Sequence, residues 1–442
     1  MLNKILGFLF RGKNADKDVK PVIISKENLQ EPFLETNSTN SEMFLPELCW
    51  TEIDIKLWKH QQEAIKLFKG KNNRLYLNWD TGTGKTIGAL AIAKTYGYKK
   101  VLVVAPKSSY FSWIEDNSRF NINLDIYSYE MFRNKVDDIS SYDLVIFDEA
   151  HRLKNPRAQV SKKAFKLIAY KDMPRLMLSG TPADRFYELY MQIKILDPNL
   201  LPFKSYTHFI NHYYVLNRYG HPERLIKPKY AEELKSLFSL VMHKVRKEDV
   251  LELPELTHRI IHPPEFSLKQ PDIENLNLYT VSNFISEYRQ SQGIDIINDT
   301  LVKTDKIDWL LDFLEDNPQT IAFSLFKAIP KYVKEKFKDK FYIITGDNKE
   351  DLEKAIKYGD KPVIATYAIK EGANLQKYKN VVYLSLPLAY RDLEQSLSRI
   401  YRAGQTQKTT AYYLLQNEFD HDVYMILKEK KDVYQFLRKD DK

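Results

Sequence analysis

The chain is nearly without cysteine. Its one thiol, Cys49, can build neither a disulfide framework nor a cysteine-ligated zinc site, and a single thiol in 442 residues fits a reducing compartment. Long apolar runs are also missing: nothing approaches the roughly 18 residues of a membrane span. The first residues, Met1 to Arg11, are apolar but short, and no small-residue cleavage site follows them. They read as a tail or docking helix rather than a signal peptide, with the cytoplasm as the expected compartment. Residues 1–48 are expected to form a polar, mostly unpatterned leader, with a flexible stretch at 37–41. What remains is ordinary for a globular protein, at 43% hydrophobic and 29% charged residues. The length exceeds what one core usually supports, so two domains are expected. The formal charge of +8 favours an acidic partner such as nucleic acid.

Against that background one stretch stands out. Arg74 to Ile87 reads as a buried strand (Leu75, Tyr76, Leu77), a turn carrying glycine, and a helix from Thr86 to Thr95. The turn, Thr81-Gly82-Thr83-Gly84-Lys85-Thr86, has the form of a phosphate-binding loop. Its two glycines let backbone N–H groups close around phosphate oxygens at the positive end of a helix. Lys85 would reach the β- and γ-phosphates, and the Thr86 hydroxyl would hold Mg²⁺. The full pattern asks for a glycine six residues before the lysine, and that position is Trp79.

A second strand, Leu144 to Phe147, delivers Asp148 and Glu149 at its C-terminal edge. Asp148 can share the Mg²⁺ with Thr86, and Glu149 can orient and deprotonate an attacking water. The two motifs in this order on predicted strands point to hydrolysis of a nucleotide such as ATP. Just upstream, Leu57 to Phe68 reads as a helix, and Gln61 on it can read adenine, since an amide both donates and accepts.

Further strands are predicted at 100–106, 125–130 and 175–178, each ending in polar residues where open α/β sheets bind ligands. Residues 183–253 read as a short helical insertion. A second set of strands is predicted at 319–324, 341–346, 362–366, 380–385 and 409–415, none preceded by a phosphate loop. The expected organisation is a leader (1–48), an ATP-binding domain (49–253, including the insertion) and a second α/β domain (254–442). Both domains are expected to be doubly wound parallel sheets. In the second, Gln395, Arg399 and Arg402 are spaced to share one face of a helix. Two arginines there could cap a triphosphate held by the first domain.

These motifs resemble those of superfamily-two helicases and translocases, and specifically the Snf-type branch related to chromatin remodellers. The branch marks are Leu57-x-x-His60-Gln61, Ser128-Tyr-Glu130, Ser179-Gly-Thr-Pro182, Arg246-Lys-x-Asp-Val250, Phe323-Ser324, Gly372-x-Asn374-Leu375 and Arg402-x-Gly-Gln405. They run in order from about residue 50 to 415. The resemblance implies two RecA-like domains, with Lys107, Ser128, Ser324, Thr366 and Asn374 near a nucleic-acid backbone and Arg399 and Arg402 acting across the cleft. It implies an ATP-dependent motor on duplex or branched DNA, with RNA the lesser alternative, no membrane and a monomer as the expectation. A non-catalytic clamp is the rival from another class. The chain departs from the family at Ile369-Lys370 and at Leu388-Ala389-Tyr390. No histone-reading or other accessory module is recognisable, which fits a minimal motor of bacterial or phage type.

Overall fold

The computed structural model describes residues 56–262, 281–295, 297–346, 350–369 and 374–436. The expected leader, Lys370 and Gly372 lie outside them. Seven apolar or amphipathic segments begin the described chain as strands: β1 (Arg74–Trp79), β2 (Lys100–Val104), β3 (Asn123–Tyr127), β4 (Leu144–Asp148), β5 (Arg175–Leu178), β6 (Tyr214–Leu216) and β7 (Pro222–Leu225). Next come β8 (Met242–Val245), β9 (Leu256–Ile261), β10 (Ile294–Asp295), β11 (Thr300–Leu301), β12 (Thr320–Ser324), β13 (Tyr342–Ile344), β14 (Val363–Thr366), β15 (Asn380–Tyr383) and β16 (Thr409–Leu414). Two six-stranded sheets result, ordered β3-β2-β4-β5-β1-β8 and β13-β14-β12-β15-β16-β9. Every strand pair in both is parallel.

Parallel strands joined through helices are covered on both faces, which is why their sequences are apolar throughout rather than alternating. Period two still sorts the side chains. Leu75, Leu77 and Trp79 of β1 pack with Ala89, Leu90 and Ile92 of the helix Lys85–Thr95, while Tyr76 points into the opposite core with Val145 and Phe147. The second sheet divides the same way, with Ile321 and Phe323 in one core and Ala322 in the other. One buried charge serves the first core. Arg175 is fully buried at the start of β5 and donates to the carbonyls of Ile168, Ala169 and Leu196, at the ends of two helices. It satisfies acceptors that the helices cannot satisfy themselves.

The predicted strands are all present, and each six-stranded sheet gains one strand that was not predicted. Met242-His-Lys-Val245 does not belong to the helical insertion but forms β8, paired beside the phosphate-loop strand β1. The stretch read only as extended after Thr257 becomes β9, the edge strand beside β16. The insertion is mostly helical (Leu189–Leu196, Tyr206–Tyr213, Lys229–Ser239) but also contains the antiparallel hairpin β6–β7. No helix among the described residues is long and apolar enough to cross a membrane.

Candidate active site

The loop between β1 and its helix adopts the conformation that its glycines permit. Gly82 and Gly84 have φ of 86° and 77°, in the left-handed region that disfavours any side chain. The helix starts at Lys85, one residue earlier than predicted. The Lys85 ammonium is held over the loop by the carbonyls of Trp79 (2.9 Å) and Asp80 (3.0 Å). His60 Nε2 lies 2.9 Å from the Thr83 carbonyl. Gln61, 3% exposed, donates to the Gly84 carbonyl (3.1 Å) and accepts from the Trp58 N–H (2.8 Å). One end of its amide therefore braces the loop, and the other caps the start of its own helix, Lys59–Gly70. Trp79 occupies the place of the missing glycine because its ring is taken up elsewhere. A methyl group on Gly88, one turn into the helix, would lie 2.7 Å from that ring. The Trp79 indole also donates to His243 Nδ1 (3.1 Å) and meets His60 edge-on. Gly88 is thus the glycine that the Trp79 ring requires.

Asp148 and Glu149 stand at the C-terminal end of β4. Asp148 Oδ2 accepts from the Trp113 indole (3.0 Å) and Oδ1 from the Glu149 N–H (3.0 Å). Glu149 sits at φ 52°, a left-handed conformation rare for a residue with a side chain. That turn brings its Oε2 to 3.1 Å from His151 Nδ1, which also lies 3.3 Å from Ser179 Oγ. Burial, then the Glu149 charge, push the Asp148 carboxyl up to about 6. Burial would raise Glu149 as well, but the His151 hydrogen bond and charge, followed by the charges of Lys85 and Arg391, hold it below the usual carboxylate range. Burial also lowers the His151 imidazole, while the Glu149 carboxylate beside it raises it. The two adjacent carboxylates are thereby pushed apart: Glu149 is ionised already, and Asp148 is the one whose ionisation a bound cation would favour.

The donor set fits Mg²⁺. Among the described residues no three His, Cys, Asp or Glu side chains form a metal cage of their own. A magnesium ion bound through a carboxylate such as Asp148, a hydroxyl such as Thr86 and substrate phosphates needs none.

The second sheet contributes from the far side of the cleft. Its helix runs only from Tyr390 to Leu397, so the one-face spacing predicted for Gln395, Arg399 and Arg402 does not hold. Gln395 lies on the last turn, and both arginines lie in the turns beyond it. Beyond the helix the buried Gln405 amide collects the carbonyls of Gln376, Tyr378 and Ile400. Arg402 nevertheless reaches the phosphate loop, its Cβ 3.5 Å from where a methyl on Gly82 would sit. Arg399 is buried, and its carbonyl accepts from Leu375 N–H (3.0 Å). Gln395 lines a cavity of about 480 Å³ between the sheets, together with His151, Arg152, Lys154 and Arg391.

The residues expected near a polymer backbone divide. Lys107 and Asn374 are exposed. Ser128 and Ser324 are buried, and their hydroxyls are used internally. Ser128 Oγ caps the helix Tyr129–Lys135 through Met131 N–H (3.1 Å). Ser324 Oγ donates to Phe326 O (3.0 Å) and lies 3.2 Å from Ser385 Oγ. The buried Thr366 hydroxyl is without a hydrogen-bond partner among the described residues. Sequence reasoning missed Arg391, whose spacing matches no motif, and Asp80, whose part is visible only once β8 is placed.

Comparison with known proteins agrees with this arrangement. Residues 114–271 match the SNF2-related domain, 54–120 the res subunit of type III restriction enzymes, and 305–404 the helicase conserved C-terminal domain. A SWI/SNF-related matrix-associated actin-dependent regulator of chromatin subfamily A-like protein 1 from Xenopus tropicalis is 25% identical over 87% of this chain and 46% of its own length. The mouse DNA annealing helicase and endonuclease ZRANB3 is 24% identical over 88% and 41%. The uncharacterized ATP-dependent helicase YqhH of Bacillus subtilis is 24% identical over 85% and 78%. The chain thus spans less than half the length of the two animal relatives.

Proposed function

We propose that this chain, which belongs to the SNF2-type branch of the superfamily-two helicases and is an ATP-dependent enzyme of that class, hydrolyses ATP to move along or remodel duplex or branched DNA. One observation carries the proposal. A phosphate loop and an acid pair from one sheet converge with an arginine from the other, so the site is complete only when the two halves meet. In that arrangement Lys85 and the loop N–H groups bind the phosphates. Glu149, kept ionised by His151, holds the attacking water and takes its proton. Arg402 neutralises charge that develops on the transferred phosphoryl group. Mg²⁺, when bound by Asp148 and Thr86, supplies neutralisation of the β- and γ-oxygens. Gln61 would sense the base while it braces Gly84.

DNA as the track rests on the SNF2-related match, on the name of the DNA annealing relative and on the net charge of +8. Exposed Lys107 and Asn374 would lie along its phosphates. The test is the ATP turnover rate with matched panels of duplex, forked and single-stranded DNA and of RNA. Duplex or forked DNA should stimulate most at equal length. Equal saturation by single-stranded RNA would reassign the chain to RNA-directed ATPases, and no turnover with any polymer would leave only a binding clamp.

A further inference from the structure

Lys247 lies at the crossing between the two sheets, two residues after β8 ends and before β9 begins. Its side chain is 5% exposed although it is a lysine. Its backbone N–H donates to Asp80 Oδ2 (2.9 Å), and Asp80 N–H donates back to the Val245 carbonyl (3.0 Å). Asp80 is the first residue of the phosphate loop, and its carbonyl accepts from the Lys85 ammonium (3.0 Å) and the Thr83 hydroxyl (2.8 Å). The crossing is therefore fastened to the loop by its backbone.

The Lys247 side chain points the other way. Its ammonium donates to Glu394 Oε1 (3.1 Å) on the helix Tyr390–Leu397 and lies 4.9 Å from the centre of the Tyr401 ring. Tyr401 directly precedes Arg402, and its hydroxyl donates to the Pro254 carbonyl (3.1 Å). Burial would lower the Lys247 pKa, but Glu394 and Asp80 raise it, so the ammonium stays charged. A nearly dry ion pair is a poor source of stability, because desolvating both charges cancels much of their attraction. Its contribution is directional. This pair joins the two halves at a residue that is also hydrogen-bonded to Asp80 of the phosphate loop.

We propose that Lys247 is a positioning residue that holds Arg402 in register over the phosphate loop through Glu394 and Tyr401, coupling the state of the loop to the arginine. The proposal rests on the motor reading above, since it assigns Arg402 a part in turnover. Neither Lys247 nor Glu394 need touch the nucleotide.

The test uses the full chain with Lys247→Met, which keeps the aliphatic stem and the backbone N–H, and Glu394→Gln, which breaks the same contact from the other half. Each is made with and without Arg402→Ala. Affinity for a fluorescent ATP analogue, turnover on saturating duplex DNA and the melting temperature are measured for all. Both single variants should bind nucleotide within about two-fold of the parent; Lys247→Met should melt lower, because it leaves Glu394 without its partner, and is assayed well below its melting temperature. Their turnover should fall on the order of 10- to 100-fold, as misplacing a catalytic group by about 1 Å does. Lys247→Arg should recover part of the loss. Adding Lys247→Met to Arg402→Ala should cost nothing further, because the lysine acts through the arginine. Parental turnover in both single variants, or losses that multiply with that of Arg402→Ala, would overturn the coupling while leaving the motor intact. Parental turnover in Arg402→Ala itself would overturn both.

Discussion

Asp148→Asn should make the unliganded protein more stable above pH 6 and should not do so near pH 4. The Asp148 carboxyl is raised from its ordinary value near 4 to about 6 by burial and by the Glu149 charge. The folded state therefore keeps this proton to higher pH than the unfolded chain does. Ionising Asp148 costs nothing below about pH 4, costs progressively more between 4 and 6, and carries its full penalty above 6. Two tenfold changes in ionisation at about 1.4 kcal/mol each set that penalty on the order of 3 kcal/mol. Asparagine has one acceptor oxygen where Asp148 uses two, for Trp113 and for the Glu149 N–H. Losing one of those bonds removes about 1 kcal/mol. A net gain of about 2 kcal/mol at pH 8 corresponds to roughly 4–8 °C for a half of about 200 residues. Glu149 has the opposite sense, its stabilisation being lost only as pH falls below the ordinary carboxylate range, so it does not mimic the effect. Calorimetry at pH 8 and pH 5 without nucleotide is the assay. A variant that gains equally at both pH values, or melts lower at pH 8, would refute the reasoning.

Glu149→Gln should bind ATP with near-parental affinity and turn it over roughly 10² to 10⁴ times more slowly, since the amide keeps the shape and cannot take the proton; equilibrium binding and steady-state turnover check this together. Gly88→Ala should destabilise by about 1–3 kcal/mol, because the added methyl would meet the buried Trp79 ring at 2.7 Å. A chemical denaturation midpoint reads that loss, and pairing the change with Trp79→Phe should recover part of it. DNA affinity should fall steeply and linearly on a log–log salt plot with little sequence preference, because phosphate contacts dominate; a salt-independent titration would count against backbone tracking.

Much of the architecture is legible in the chain because parallel strands are short apolar runs that end in polar residues. Leu75 to Leu77, Leu144 to Phe147 and Ile321 to Phe323 announce themselves in this way, and the chemistry follows them directly. β8 does not, since Met242-His-Lys-Val245 alternates like a surface segment and becomes a strand only by lying beside β1. The crossing lysine and Asp80 were hidden with it. Helical spacing misled at Arg399 and Arg402, which lie past the end of the helix at Leu397. Hydroxyls were the least legible of all. Ser128 and Ser324 carry the residue type of a phosphate contact, and nothing in their local sequence announces the helix cap and the core bond that their hydroxyls make. Residue type gives what a side chain can do, and only packing decides which way it faces.

The central claim is that ATP turnover needs the arginine delivered from the second sheet. Measuring nucleotide affinity and duplex-stimulated turnover for Arg402→Ala tests it most directly. Affinity near that of the parent with turnover lower by roughly 10³ or more would meet the prediction for an arginine that acts across the cleft. Equal losses in both would place Arg402 in the ground-state binding site, and unchanged turnover would contradict the account.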